Sequence, residues 1–235
     1  MPHFKSPRPD GFPTEFFQKH WNIVGESLTN AAFSFLNNGH ILKEINNTFI
    51  SLIPKIPSPK SVNDFRPISF CNTTYKVASK VLVNRLKPHL NSLLSPFQNG
   101  FIFGRGAQDN ILMAQELSHS ISQSKGKRNG MPAIKIDMSK TLDRVNWNFL
   151  FCDLSKLDFS SHWIHLIKEC VTSVQYFVLI NSQVTDPFKP SCGLRQGDPL
   201  SPILFAICLV ALSSLLFFPP IKEKPERHLH HQKWP

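Results

Sequence analysis

The sequence predicts an α+β protein in which helices pack on a small antiparallel sheet. Apolar residues recur at helical spacing in several segments, while other segments alternate apolar and polar residues as half-buried strands do. The chain has 235 residues, is 41% hydrophobic and contains 20 Phe. That much apolar surface excludes a fully disordered chain, and the length suits one domain or one domain with a small appendage.

The N-terminal half mixes helical and extended segments. Residues 14–36 carry aromatic and aliphatic side chains at helical spacing, and 47–53 (NTFISLI) predict a strand. The four prolines within 54–67 predict a loop, because proline cannot donate to a helix or a sheet ladder. Further helices are predicted over 73–87 and from 109 onward.

The C-terminal half begins with a predicted strand over 132–138 (PAIKIDM), where apolar and polar side chains alternate. Helices follow over 147–157 and from Ser160 or Ser161, each of which can act as a cap. A hairpin is predicted within 175–189. After a loop, an apolar helix begins near Ser201.

The charge balance favours a polyanionic partner. Lys and Arg number 26 against 16 Asp and Glu, a formal net charge of +10. Nucleic acid is the first candidate partner and an acidic membrane surface the second. The five cysteines are widely spaced without a C-x-x-C pair, so we expect neither a disulfide framework nor a zinc site. The first residues contain no apolar segment, so we expect no secretory signal.

Residues 203–218 carry no charge and admit two interpretations. As a helix they would span about 24 Å, against about 30 Å for the hydrocarbon core of a bilayer. A buried core helix is therefore the preferred interpretation, and membrane association is the alternative.

Asp137 is the candidate for chemistry that the residues themselves indicate. It ends the strand predicted over 132–138, on the face opposite Ile134 and Ile136. Two-metal nucleotidyl transfer requires carboxylates that converge on two Mg²⁺ ions. A cap at the strand end or a salt-bridge partner is the structural alternative for this residue.

Six segments resemble, in order, the reverse transcriptase of plant LINE-type non-LTR retrotransposons. The resemblance runs from about residue 7 to residue 216. The segments are PDGFPTEFFQKHW (9–21), NNTFISLIPKIPSPKSVNDFRPIS (46–69), YKVASKVLVNRLKP (75–88), SPFQNGFIFGRGAQDNI (95–111), AIKIDMSKTLDRVNW (133–147) and GLRQGDPLSP (193–202).

The resemblance implies a right-hand polymerase with fingers and an incomplete palm. Residues 1–45 would be an N-terminal lead and helical segment upstream of the fingers, and 46–130 a fingers-like region. Residues 131–218 would form the partial palm. Residues 219–235 are expected to be a disordered tail rich in Pro, His and Lys.

The resemblance also assigns roles at the polymerase site. Asp137 would be the catalytic residue and the Mg²⁺ ligand. Leu142 stands where the family has an aromatic that blocks the 2′-OH of a ribonucleotide, and a branched aliphatic does not present the same wall. Gln196 and Gly197 would lie near the templating base and the incoming nucleotide.

Five basic residues complete the assignment by resemblance. Arg66 and Lys76 are the candidates for binding the triphosphate of the nucleotide. Lys80, Lys87 and Arg105 are candidates for contact with the RNA template or an RNA–DNA hybrid. Ordinary solvated surface charge is the alternative for each of them.

Family members carry a further hairpin with an aromatic-Ala-Asp-Asp sequence, whose Asp residues complete the metal site. This sequence contains no Asp-Asp dipeptide. We therefore expect an RNA-directed DNA polymerase by resemblance, truncated before that motif, and an inactive retrotransposon remnant. The alternatives are a non-catalytic RNA- or DNA-binding protein and a small membrane-associated protein. Truncation would also expose a sheet edge and lower solubility.

Overall fold

The computed structural model describes residues 8–95, 98–100, 102, 104–123, 135–181 and 183–217. Its helices and its small sheet confirm the α+β class. The helices are α1 (Thr14–Lys19), α2 (Trp21–Asn38), α3 (Lys43–Asn46), α4 (Thr73–Leu86), α5 (Leu90–Leu93), α6 (Ala107–Gln123), α7 (Trp147–Lys156), α8 (Ser161–Thr172) and α9 (Ser201–Phe217). The strands are β1 (Asn47–Pro54), β2 (Phe65–Cys71), β3 (Gln175–Ile180) and β4 (Gln183–Val184).

The described strands form one sheet in the order β2-β1-β3-β4. β1 pairs antiparallel with β2, and Thr48 lies opposite Cys71. β1 pairs parallel with β3, and Phe49 lies beside Phe177. The sheet is therefore mixed, and the expected wholly antiparallel arrangement was wrong at this pairing. Parallel neighbours need a long connection, and the more than one hundred residues between β1 and β3 provide it.

β2 begins inside the segment that its prolines predicted to be a loop. Phe65 lies opposite Pro54 and Pro67 lies opposite Leu52. The prediction of a loop up to residue 67 was wrong because β2 is the outermost strand of the sheet. An edge strand tolerates the missing N–H of a proline.

The core lies between the helices. α7 packs on α9 and α8, and α2 packs on α4. α9 contributes Leu204 and Ile207, which are almost completely buried, as the preferred interpretation of this apolar segment predicted. Within the part of the chain that the structure describes, no helix is both long and apolar enough to cross a membrane.

Residues 135–138 do not form the predicted strand. Their side chains are exposed, and none of the described strands pairs with them. The alternation of Ile136 and Asp137 fits a strand locally, but a strand needs a hydrogen-bonded neighbour to persist. Residues 131–134 of the same prediction and the expected tail at 219–235 lie outside the described residues.

Candidate nucleic-acid and nucleotide site

A loop at 192–198 packs against the segment that follows Asp137. The N–H of Leu194 donates to the carbonyl of Leu142, and the N–H of Gly193 donates to the carbonyl of Val145, both at 2.8 Å. Gly193 has a φ of 91°, and a Cβ there would lie 2.7 Å from the carbonyl oxygen of Asp143. Only glycine allows this approach, so the GLRQGD sequence fits its loop for a steric reason.

Gln196 and Gly197 of the same loop reach the outer edge of β2. The N–H of Ser69 donates to the carbonyl of Gln196 at 2.8 Å. The side-chain amide of Gln196 donates to Oδ1 of Asp143 at 3.1 Å. Gly197 has a φ of 113°, and a Cβ there would lie 3.0 Å from the carbonyl oxygen of Ser69. Two segments that are distant in sequence thus meet at the edge of the sheet.

Arg195 turns inward from the same loop. Its side chain is buried, and its Nε lies 3.7 Å from Oδ2 of Asp198. The guanidinium carbon lies 3.9 Å from the centre of the Tyr75 ring. The guanidinium also donates to Oδ1 of Asn46 at 2.6 Å, to the carbonyl of Cys170 at 2.6 Å and to Oγ1 of Thr48 at 3.3 Å.

The hydroxyl of Tyr75 donates to Oδ2 of Asp198 at 2.7 Å. Burial raises the pKa of the Tyr75 phenol well above its usual range, so it stays a proton donor. Burial likewise raises the pKa of the Cys170 thiol to about 12. The charge in this buried cluster is therefore that of Arg195 and Asp198, which compensate each other.

Two lysines meet at the tip of the β1–β2 hairpin. Nζ of Lys140 donates to Oδ1 of Asn63 at 2.7 Å. Nζ of Lys55 donates to the carbonyl of the same residue at 2.8 Å. Lys60 and Arg66 are exposed and lie on the same hairpin. We refer to Lys55, Lys60, Arg66 and Lys140 as the hairpin cluster.

Asp64 also belongs to this hairpin. Its carboxylate accepts backbone N–H groups of Lys60 at 2.8 Å and Ser61 at 2.9 Å. These hydrogen bonds lower the pKa of Asp64, so the carboxylate stays ionised while it holds the turn. The hairpin cluster keeps a positive balance of four cations against this one anion.

Of the remaining predicted residues, Leu142 takes part in these contacts through its carbonyl, which accepts the N–H of Leu194. Asp137 is exposed on the segment before Lys140, and Leu142 is half-buried against the core. Lys76 and Lys80 lie on α4, the first half-buried and the second exposed, and exposed Lys87 follows α4.

Arg105 has a local structural role. Its guanidinium donates to the carbonyl of Ser95 at 2.6 Å and to that of Gln98 at 2.7 Å. A third bond of 3.2 Å reaches Oδ1 of Asn91. These bonds tie Arg105 to α5 and to the segment that follows it.

A family model described as reverse transcriptase (RNA-dependent DNA polymerase) matches residues 53–216. The chain belongs to this family. It is 30% identical over 92% of its length to the transposon TX1 uncharacterized 149 kDa protein of Xenopus laevis, of which it covers 16%. It is 26% identical over 84% of its length to a retrovirus-related Pol polyprotein from type-1 retrotransposable element R2 of Nasonia vitripennis, of which it covers 18%.

A third relative is the probable RNA-directed DNA polymerase from transposon BS of Drosophila melanogaster. The identity is 26% over 67% of this chain and 17% of that protein. The reverse transcriptase chain thus spans about a sixth of the length of the curated relatives it matches.

Reverse transcriptases use divalent metal ions. Among the residues that the structure describes here, no group of three His, Cys, Asp or Glu side chains could hold such an ion. Asp137 is exposed, and the Asp143 carboxylate accepts the amide of Gln196. These residues do not by themselves make a complete metal site.

Sequence reasoning missed Asp143, Arg195, Asp198 and Tyr75 at this candidate site. One signal was available in the sequence, because the oppositely charged Arg195 and Asp198 stand directly before and after Gln196–Gly197. Nothing in the sequence pairs Tyr75 with Asp198, because 123 residues separate them.

Proposed function

We propose that this chain is the nucleotide- and template-binding part of an RNA-directed DNA polymerase from a retrotransposon. In this proposal residues 46–130 act as fingers and 131–218 as part of the palm. The parent element would be of the plant LINE type that the six segments resemble. The ligand would be an RNA template paired with a DNA primer.

The docking of Gln196–Gly197 onto β2 carries the proposal. The hydrogen bond from Ser69 to Gln196 puts the GLRQGD loop on the strand that bears Arg66. The missing side chain of Gly197 lets the loop lie close to the carbonyl of Ser69. Gly197 itself is exposed, so a base pair could approach its backbone. A loop that reads a base pair beside a strand that bears an arginine would suit template-directed synthesis.

The hairpin cluster supports binding of phosphates. Its ammonium and guanidinium groups can replace the counterions of a nucleic-acid backbone, and release of these ions drives association. If the cluster makes four phosphate contacts, a rise in salt from 50 to 200 mM should weaken binding on the order of 100-fold. Lys76, Lys80 and Lys87 extend the proposed binding surface along α4, while we assign Arg105 a weaker part because its donors already have protein acceptors.

We also propose that the 235-residue polypeptide does not extend a primer by itself. Asp137 remains the proposed catalytic residue and Mg²⁺ ligand, but it is exposed, and among the described residues no group of three His, Cys, Asp or Glu side chains could hold an ion with it. One carboxylate in water holds Mg²⁺ weakly, because this ion gives up its hydration shell reluctantly. Without incorporation of nucleotides, Leu142 would have no role in selecting deoxyribonucleotides over ribonucleotides.

Fluorescence anisotropy with a labelled RNA–DNA hybrid tests binding. We expect Arg66→Ala and Lys140→Ala each to weaken binding and to reduce the salt slope by about one. Lys168→Ala removes an exposed lysine of α8, outside the hairpin cluster, and is the matched control. Binding that does not change with salt, or equal losses in all three variants, would overturn the proposal.

Primer extension on an RNA template with Mg²⁺ and dNTPs tests inactivity. We expect no product from the wild type or from Asp137→Ala. Extension by the wild type that disappears in the variant would show that the 235 residues are catalytically sufficient.

A further inference from the structure

In the GLRQGD loop, two residues that are accessible to solvent lie between two buried residues. Gln196 is half-buried and Gly197 is exposed, whereas the flanking Arg195 and Asp198 are only 4% and 5% exposed. The proposed base-pair contacts therefore lie between two buried, oppositely charged side chains. Where these two side chains are held determines where Gln196–Gly197 can lie.

Arg195 is fixed to two elements through its guanidinium. One nitrogen donates to Asn46 at the end of α3 and the other donates to the carbonyl of Cys170 in α8. Both bonds are 2.6 Å long and join groups that are buried. A planar guanidinium makes such bonds in fixed directions, so it sets orientation as well as distance.

Asp198 is joined to a third element. Its Oδ2 accepts the hydroxyl of Tyr75, a completely buried residue in the first turn of α4. Lys76 is the next residue of that turn. The bond from Tyr75 to Asp198 thus ties the loop at Gln196–Gly197 to the helix that carries the proposed triphosphate ligand.

We infer that Arg195, Asp198 and Tyr75 form a latch that positions Gln196–Gly197 relative to Lys76. The three are positioning residues, since they are buried and do not face the proposed ligand. The inference rests on the proposed function for its consequence, binding of nucleic acid. Its geometric part, coupling of the loop to α4, can be tested separately.

Tyr75→Phe is the variant that tests the latch, because it removes one hydroxyl and keeps the buried ring. The amide of Ser69 reports on the loop, since it donates to the carbonyl of Gln196. Native-state hydrogen exchange followed by NMR should show that amide exchanging about 10-fold faster in the variant, the loss expected for one buried hydrogen bond.

Ile207→Val is the matched control for general loss of stability. Ile207 is completely buried in α9, and this shortening costs a folded protein a similar amount. We expect the control to leave the exchange of the Ser69 amide close to that of the wild type. Equal acceleration in the two variants would mean that Tyr75 only stabilises the fold, and would overturn the latch.

Anisotropy with the labelled RNA–DNA hybrid then tests the consequence. We expect Tyr75→Phe to bind about fivefold more weakly than Ile207→Val, because the loop is displaced from α4. Equal affinities would overturn the assignment of the latch to binding. If the wild type does not bind the hybrid, the proposed function is wrong, and the exchange of the Ser69 amide still decides whether the latch exists.

Discussion

The side-chain amide of Gln196 donates to Oδ1 of Asp143 at 3.1 Å. This bond joins a loop near the end of the chain to the segment that follows Asp137. The thiol of Cys192 also donates to the backbone carbonyl of Asp143, at 3.6 Å. Asp143 therefore holds the GLRQGD loop through its backbone and its carboxylate.

Replacement of the Asp143 side chain tests the contact of its carboxylate with Gln196. Asp143→Ala should weaken binding of the RNA–DNA hybrid about threefold to fivefold, because Gln196 loses the acceptor that orients it. Asp143→Asn keeps an acceptor oxygen and should bind within about twofold of the wild type. Anisotropy titrations of both variants check this, and a larger loss in Asp143→Asn would indicate that the carboxylate charge itself takes part.

Gly197 should be intolerant of any side chain. Gly197→Ala would place a methyl group 3.0 Å from the carbonyl oxygen of Ser69 on a backbone with φ of 113°. We expect it to lower the free energy of unfolding by about 1–3 kcal/mol, the usual range for a strained backbone.

Gly104→Ala is the control for Gly197→Ala. Gly104 also has a positive φ, 82°, but a Cβ there would have no atom within 4 Å. Chemical denaturation should show a smaller loss for Gly104→Ala. Equal losses would mean that backbone conformation alone, and not contact with Ser69, excludes a side chain at Gly197.

Elements built from local contacts could be predicted from the sequence. The segments with regular spacing of apolar residues form β1, α4, α7 and α8 in the structure. Ser160 is the predicted cap of α8, and its side chain accepts the N–H of Trp163. Patterns of this kind depend on neighbours within a few residues, which the sequence displays directly.

Pairings between distant segments could not be predicted in this way. The parallel pairing of β1 with β3 and the edge position that admits Pro67 depend on the whole sheet. The prediction of a strand over 132–138 was wrong at 135–138, because no described strand pairs with these residues. The candidate site shows the same limit. The resemblance pointed to Gln196, but only the folded structure shows that Asp143, 53 residues away in sequence, is its hydrogen-bond partner.

Apolar side chains on α6 should promote self-association. Leu112 and Leu117 are 59% and 55% exposed, and Ile111 and Met113 beside them are also exposed. Large exposed apolar side chains gathered on one helix favour association of this kind. The double substitution Leu112→Gln and Leu117→Gln should leave the free energy of unfolding within about 0.5 kcal/mol and reduce aggregation measured by light scattering.

Val62→Gln is the control for the α6 variant. Val62 is 80% exposed in the turn before β2, away from the residues of α6. It should change light scattering little. A large loss of stability in the α6 double variant would show that these side chains pack against another part of the protein.

Asp153 should contribute more to the stability of the fold in acid than at neutral pH. Its side chain is buried in α7, and its Oδ2 has no hydrogen-bond partner. Burial raises the pKa of this carboxyl, and the nearby charge of Lys156 offsets part of the effect. The folded state therefore binds the proton more tightly than the unfolded chain does. The stabilisation is fully present below the unfolded pKa of about 3.9 and is lost as the pH rises through the raised folded value.

Asp153→Asn removes this titration and keeps a side chain of the same size. Because the buried negative charge is gone, we expect the variant to melt a few degrees higher than the wild type at pH 7. The difference in Tm between the two proteins should shrink as the pH falls through the raised pKa of the folded wild-type carboxyl. Other carboxyl groups titrate equally in both proteins, so the difference isolates Asp153. A difference that is constant with pH, or a variant that melts lower at pH 7, would mean that the ionised carboxylate is stabilised by a contact which outweighs its burial.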